Sequence, residues 1–126
     1  MKLLLKILGL SLLLCCESAG KQAEYFWARV TYYTGPQTAS GRKPVQGITI
    51  AAEKKYKFGH RFHIPDLKKK VGGDGGFVVH DRGPAVEGRK ASRGKLPVID
   101  VYVTSRTQLQ RLAQQKDNIF KVYLNE

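Results

Sequence analysis

Residues 97–103 read PVIDVYV, and the fold class turns on them. Apolar and β-branched residues without helical spacing, closed on the far side by Thr104 and Ser105, predict a strand. Outward from it the same chemistry recurs in Glu24 to Tyr33 (EYFWARVTYY), Val45 to Ala52 (VQGITIAA), His60 to Pro65 (HRFHIP), Phe77 to Asp81 (FVVHD) and Ile119 to Leu124 (IFKVYL). Gly35-Pro36, Phe58-Gly59 and Arg82-Gly83-Pro84 punctuate the runs as turns. Lys68 to Gly76 (KKKVGGDGG) reads as an exposed cationic hairpin connection, and Glu87 to Lys95 (EGRKASRGK) as a basic loop. One helix is expected, from Ser105 to Gln115, where Leu109, Leu112 and Ala113 recur at spacings of three and four. Thr104 or Ser105 is its capping residue. Six short strands and one short helix predict a mainly β domain closed as a compact β-barrel.

Lys2 and Lys6 precede and interrupt an apolar stretch from Leu3 to Leu14, and small residues follow at Ser18, Ala19 and Gly20. The stretch is shorter than the roughly 20 apolar residues of a spanning helix, and it has the flanks of a secretory leader. Residues 1–20 are therefore expected to be a signal peptide and residues 21–126 a single exported domain, in the periplasm or cell envelope. Cys15 and Cys16 follow three leucines, so a lipoprotein leader acylated at Cys16 is the alternative. These are the chain's two cysteines, which leaves the exported domain no disulfide and no thiolate metal site.

The chain carries 22 Lys and Arg against 10 Asp and Glu, a formal charge of +12. Such an excess draws polyanions, and export makes cell-wall polymers the expected ones. Nucleic acid is not the expected partner; binding of that kind through the lysine-rich loops would weaken steeply with salt. Gly72 to Gly76 lacks the helix that a dinucleotide site requires, and no serine or cysteine nucleophile signature is present. His60 and His63, three apart in a strand, point to opposite faces, so no metal and no cofactor are expected.

Two of the scarce carboxylates interrupt apolar strands. Strand alternation puts Val98, Asp100 and Tyr102 on one face and Ile99, Val101 and Val103 on the other. The second set is the core face, so Asp100 points into a groove or across the sheet. A half-buried carboxyl loses hydration, which raises its pKa, as a general acid near neutral pH requires. A buried aspartate bonded to backbone amides is the other reading. Asp81, in His80-Asp81-Arg82-Gly83-Pro84, sits at a strand end where it can orient a loop or a substrate. Arg82 beside it either faces the substrate or forms a plain salt bridge.

In order along the chain, Thr31-Tyr32-Tyr33, Thr38-Ala39-Ser40-Gly41, Gly47-Ile48-Thr49-Ile50-Ala51-Ala52, Phe62-His63-Ile64-Pro65, Val79-His80-Asp81-Arg82-Gly83-Pro84 and Ile99-Asp100-Val101-Tyr102 resemble the 3D domain of MltA-type lytic transglycosylases. The Thr-Ala-Ser-Gly and Asp-Arg-Gly-Pro pieces are also similar to rare lipoprotein A. The resemblance implies a six-stranded double-psi β-barrel acting on peptidoglycan glycan strands as a monomer. It further implies cleavage of the β-1,4 bond between N-acetylmuramic acid and N-acetylglucosamine without water, leaving 1,6-anhydromuramyl ends. By the same resemblance Asp100 is the general acid/base and Asp81 its partner. Thr38 and Tyr33 border the glycan groove, and Glu53 stands where the family carries its first aspartate. Asp81-Arg82-Gly83-Pro84 replaces the Asp-Thr-Gly-Gly of typical 3D domains, and Ala91 to Leu96 is an insertion. The alternative function is a non-catalytic wall-binding module of the expansin or rare lipoprotein A sort, holding glycan through aromatics such as Tyr32, Tyr33 and Trp27.

Overall fold

Ala28, Val30 and Tyr32, alternate residues of the first strand, are all buried, and this alternation sets one face of the sheet against the core. The computed structural model describes residues 24–124; the expected leader and the Cys16 anchor lie outside them. Six strands occur where the sequence places them: β1 (Tyr25–Tyr33), β2 (Thr49–Ala51), β3 (Arg61–His63), β4 (Gly76–Asp81), β5 (Val98–Tyr102) and β6 (Ile119–Tyr123). The protein is mainly β, with a few short helices. The strand order β1-β5-β2-β4-β3-β6 closes on itself as a barrel. β1/β5 and β2/β4 are parallel and the other pairs antiparallel. The seam between β3 and β6 is a single register pair, His63 with Tyr123.

Inward side chains from all six strands fill the barrel, among them Val30, Ile50, Phe62, Val79, Ile99, Val101 and Val122. Phe62 is fully buried. Its ring meets those of His60 at 4.7 Å, Tyr56 at 4.8 Å and Phe26 at 5.8 Å. Among the described residues no helix is long and apolar enough to cross a membrane.

The connection from Lys68 is not an open hairpin. A 3₁₀ turn at Pro65–Leu67 runs into a short helix, α1 (Lys68–Val71). Pro65 presets the first backbone angle, and Leu67 and Val71, four apart, are both buried on one side. The glycines that follow let the chain pass tightly against the turn before β2: a Cβ on Gly73 would stand 2.6 Å from the Gly47 carbonyl oxygen. The expected helix is α2 (Arg106–Ala113), and the Ser105 hydroxyl caps it by accepting from the Gln108 amide at 3.2 Å.

The basic loop after β4 is also more ordered than its composition suggests. Glu87–Ser92 winds into 3₁₀ turns, and the buried Ser92 hydroxyl donates to the carbonyl of Leu96 at 2.6 Å and accepts from its amide at 3.0 Å. Val86, at the start of this strap, is fully buried against Ala51 and Val98 on the outside of the barrel. As a result β5 is buried along its whole length, not on one face only.

Candidate active site

β1, β5, β2 and β4 lie side by side, and their register aligns four residues. Thr31 pairs with Asp100, Asp100 with Ala51, and Ala51 with Asp81. Cross-strand partners share a face, so they form a row across the outer surface. The two aspartates are two strand spacings apart, about 10 Å between backbones, with only the methyl group of Ala51 between them.

Asp81 reaches this face through a break in register. Phe77 and Val79 point into the core, and unbroken alternation would send Asp81 after them. The β2/β4 pairing shifts between Ile50 and Ala51 instead, and a bulge of this kind turns a side chain to the other face. There, Asp81 Oδ2 accepts from the Tyr33 hydroxyl at 2.8 Å. Its Oδ1 accepts from the backbone amides of Ala39 at 2.7 Å and Arg82 at 2.8 Å. The Tyr33 phenol is pushed well above its usual range by burial first, then by its bond to Asp81 and the charges of Asp81 and Asp100. It therefore stays neutral and keeps donating.

Asp100 is held differently. It is 9 % exposed and accepts from the Thr31 hydroxyl at 2.8 Å. Burial pushes its pKa up to about 6; the Thr31 bond opposes this, and the charge of Asp81 adds to it. Three donors occupy Asp81 and one occupies Asp100, so Asp100 retains the acceptor capacity and the near-neutral titration that proton transfer needs.

The other expected residues divide into those near the row and those engaged elsewhere. Tyr33 joins it. Arg82 contributes its backbone amide, but its guanidinium donates to the carbonyls of Tyr56 at 2.6 Å, Asp81 at 3.1 Å and Ala52 at 3.4 Å, and lies over the Phe58 ring. The Thr38 hydroxyl is committed to the Arg42 carbonyl at 2.6 Å, shaping the turn that aims the Ala39 amide. Tyr32 is a core residue on the inward face of β1, which removes it from the expected glycan-facing aromatics. Thr31, the Ala39 amide and Val86 enter the site without having been singled out for these roles. Among the described residues no group of three or more His, Cys, Asp or Glu is placed to hold a metal ion.

Glu53, two residues beyond Ala51, accepts from Arg89 Nε at 2.7 Å. That pair clips the strap to the barrel, with Val86 lying over Ala51. Arg89 holds the strap in a left-handed backbone conformation, φ 58°, which disfavours residues other than glycine. Arg89→Ala removes the clip and leaves that strain, so it is expected to cost about 1 kcal/mol after allowance for solvent screening. Amide hydrogen exchange over residues 86–92 should accelerate more than in the rest of the barrel; uniform protection would show that the ion pair does not hold the strap.

No protein-family model matches the chain, and no curated protein matches it.

Proposed function

We propose that this chain is an exported peptidoglycan lytic transglycosylase built on a double-psi β-barrel. The observation that carries the reading is the row Thr31-Asp100-Ala51-Asp81, which sets a carboxyl of raised pKa beside a second, firmly anchored one. The closed strand order with two parallel pairs, β1/β5 and β2/β4, supports the double-psi arrangement, because each parallel pair needs a crossover connection.

In this reading the protonated Asp100 gives its proton to the glycosidic oxygen as the bond from the muramyl C1 to that oxygen breaks. The muramyl 6-hydroxyl oxygen then closes on C1, and its proton passes to the Asp100 carboxylate. One carboxyl serves as acid and then base, and no water enters, in contrast to the paired carboxylates of ordinary glycosidases. Asp81, fixed by Tyr33, Ala39 and Arg82, stabilises positive charge developing on the sugar ring.

The first step needs Asp100 protonated, so the rate of sacculus solubilisation is expected to fall as pH rises through about 6. A turbidity assay across pH 5–8, at constant ionic strength, measures this. A flat profile would remove Asp100 from the role of acid.

One observation favours the second reading, a non-catalytic wall-binding module. Val86 packs over Ala51, and little of Asp100 is open to a substrate. A module of that kind retains sacculi and releases nothing from them.

A further inference from the structure

The outward face of β1 extends beyond the acid row. Tyr25, Trp27 and Arg29 alternate outward on the same side as Thr31 and Tyr33, and both Tyr25 and Trp27 are 49 % exposed. Antiparallel β6 sets Tyr123 beside Tyr25, Lys121 beside Trp27 and Ile119 beside Arg29. The Tyr25 ring meets Trp27 edge-on at 6.4 Å and Tyr123 at 5.9 Å. Lys121 Nζ stands 4.3 Å from the Tyr25 ring centre and 5.4 Å from that of Trp27. The rings are thus held by each other and by one cation, with the chain's single tryptophan left half in water. Burial in the barrel explains Phe26, Phe62 and Phe120, but it does not explain this group.

Cations join the aromatic group to the acids. A depression of about 250 Å³ is lined by Arg29, Ser92, Arg93 and Lys95, together with Ala91. A second, of about 230 Å³, is lined by Arg29, Thr31 and Ala91 and, at the edge of β1, by Tyr32, Ala113 and Asn118; the Thr31 hydroxyl donates to Asp100. From Tyr25 to Thr31 the strand covers roughly 20 Å at its ordinary rise per residue. That span suits an extended polymer better than a single sugar.

We infer that the outer face of β1 and β6 is a docking track for an anionic glycan strand, leading over Arg29 to Asp100. The C–H faces of pyranose rings carry slight positive charge and stack on the negative faces of Tyr25 and Trp27. Carboxylates along the strand pair with Arg29, Arg93, Lys95 and Lys121, in keeping with the strongly positive net charge. The choice of glycan rests on the proposed function, but the docking does not require catalysis. Single-stranded nucleic acid also stacks on aromatic rings beside cations, so it belongs among the outcomes of the test.

The test is co-sedimentation with purified sacculi in an Asp100→Asn background, where the wall stays intact. Tyr25→Ala with Trp27→Ala is expected to weaken binding on the order of tenfold or more, and the loss should persist in high salt. Trp27→Phe should keep most of the binding, and Val45→Ala, at an exposed apolar position elsewhere, should bind like its parent. Circular dichroism checks that the double variant remains folded. Unchanged binding by the double variant overturns the track, as does a loss that vanishes in high salt. Tighter binding of a single-stranded oligonucleotide than of sacculi, lost in the same variant, also overturns it. The chain with Asp100 intact separates the two claims. Sacculi bound but never solubilised, with binding lost in the double variant, retains the track and removes the lyase. Sacculi solubilised, with binding indifferent to the rings, does the reverse.

Discussion

Replacing Asp100 by Asn stops the solubilisation of sacculi, lowering the rate by roughly 10²–10⁴, the usual contribution of a positioned acid/base. The amide keeps the size of the side chain and can still accept from Thr31, so the barrel remains folded. Stability provides an independent readout. The folded pKa of Asp100 is raised from the ordinary 3.8 to about 6, so the folded state holds this proton more tightly than the unfolded chain. The contribution favours folding fully below about pH 4 and is lost as pH rises through about 6, on the order of 3 kcal/mol in all. Urea unfolding of the parent should therefore show a decline across that window which Asp100→Asn lacks. Activity that persists in the variant removes the catalytic assignment. Equal pH slopes in the two proteins would show that the carboxyl is not buried as described.

Phe62→Ala is the second large effect, and it acts on the fold. Phe62 is fully buried at the centre of the ring cluster, on a strand joined to β6 by a single register pair. Truncation of such a ring costs about 3–5 kcal/mol through lost burial and the cavity left behind. A domain of this size has roughly 5–15 kcal/mol in total, so the urea midpoint should fall by a large fraction and activity with it. A loss under about 1 kcal/mol, far below that cost, would mean the barrel interior is not packed as one core.

The strands were legible because alternation is a local signal. EYFWARVTYY and PVIDVYV carry it openly, and it placed Asp100 opposite Ile99 and Val101. The same alternation assigns Tyr32 inward once Tyr33 points outward, a consequence of period two that aromatic content obscured. Asp81 was harder to place, because its facing depends on a bulge between Ile50 and Ala51 that no single strand records. The Thr31 bond to Asp100 spans 69 residues and follows from parallel register alone. Around α1, lysines and glycines masked the buried pair Leu67 and Val71. Val86 is a lone apolar residue just ahead of the basic run from Glu87, and its packing on Ala51 depends on how the Glu53–Arg89 pair folds the segment back.

The central claim is that Asp100 cleaves glycan without water, and mass spectrometry of the soluble products from chain-treated sacculi tests it most directly. The expected products carry 1,6-anhydromuramyl ends, each one water lighter than the corresponding hydrolytic fragment, and they are missing after treatment with Asp100→Asn. Reducing muramyl ends, or no soluble fragments at all from the intact chain, would contradict it.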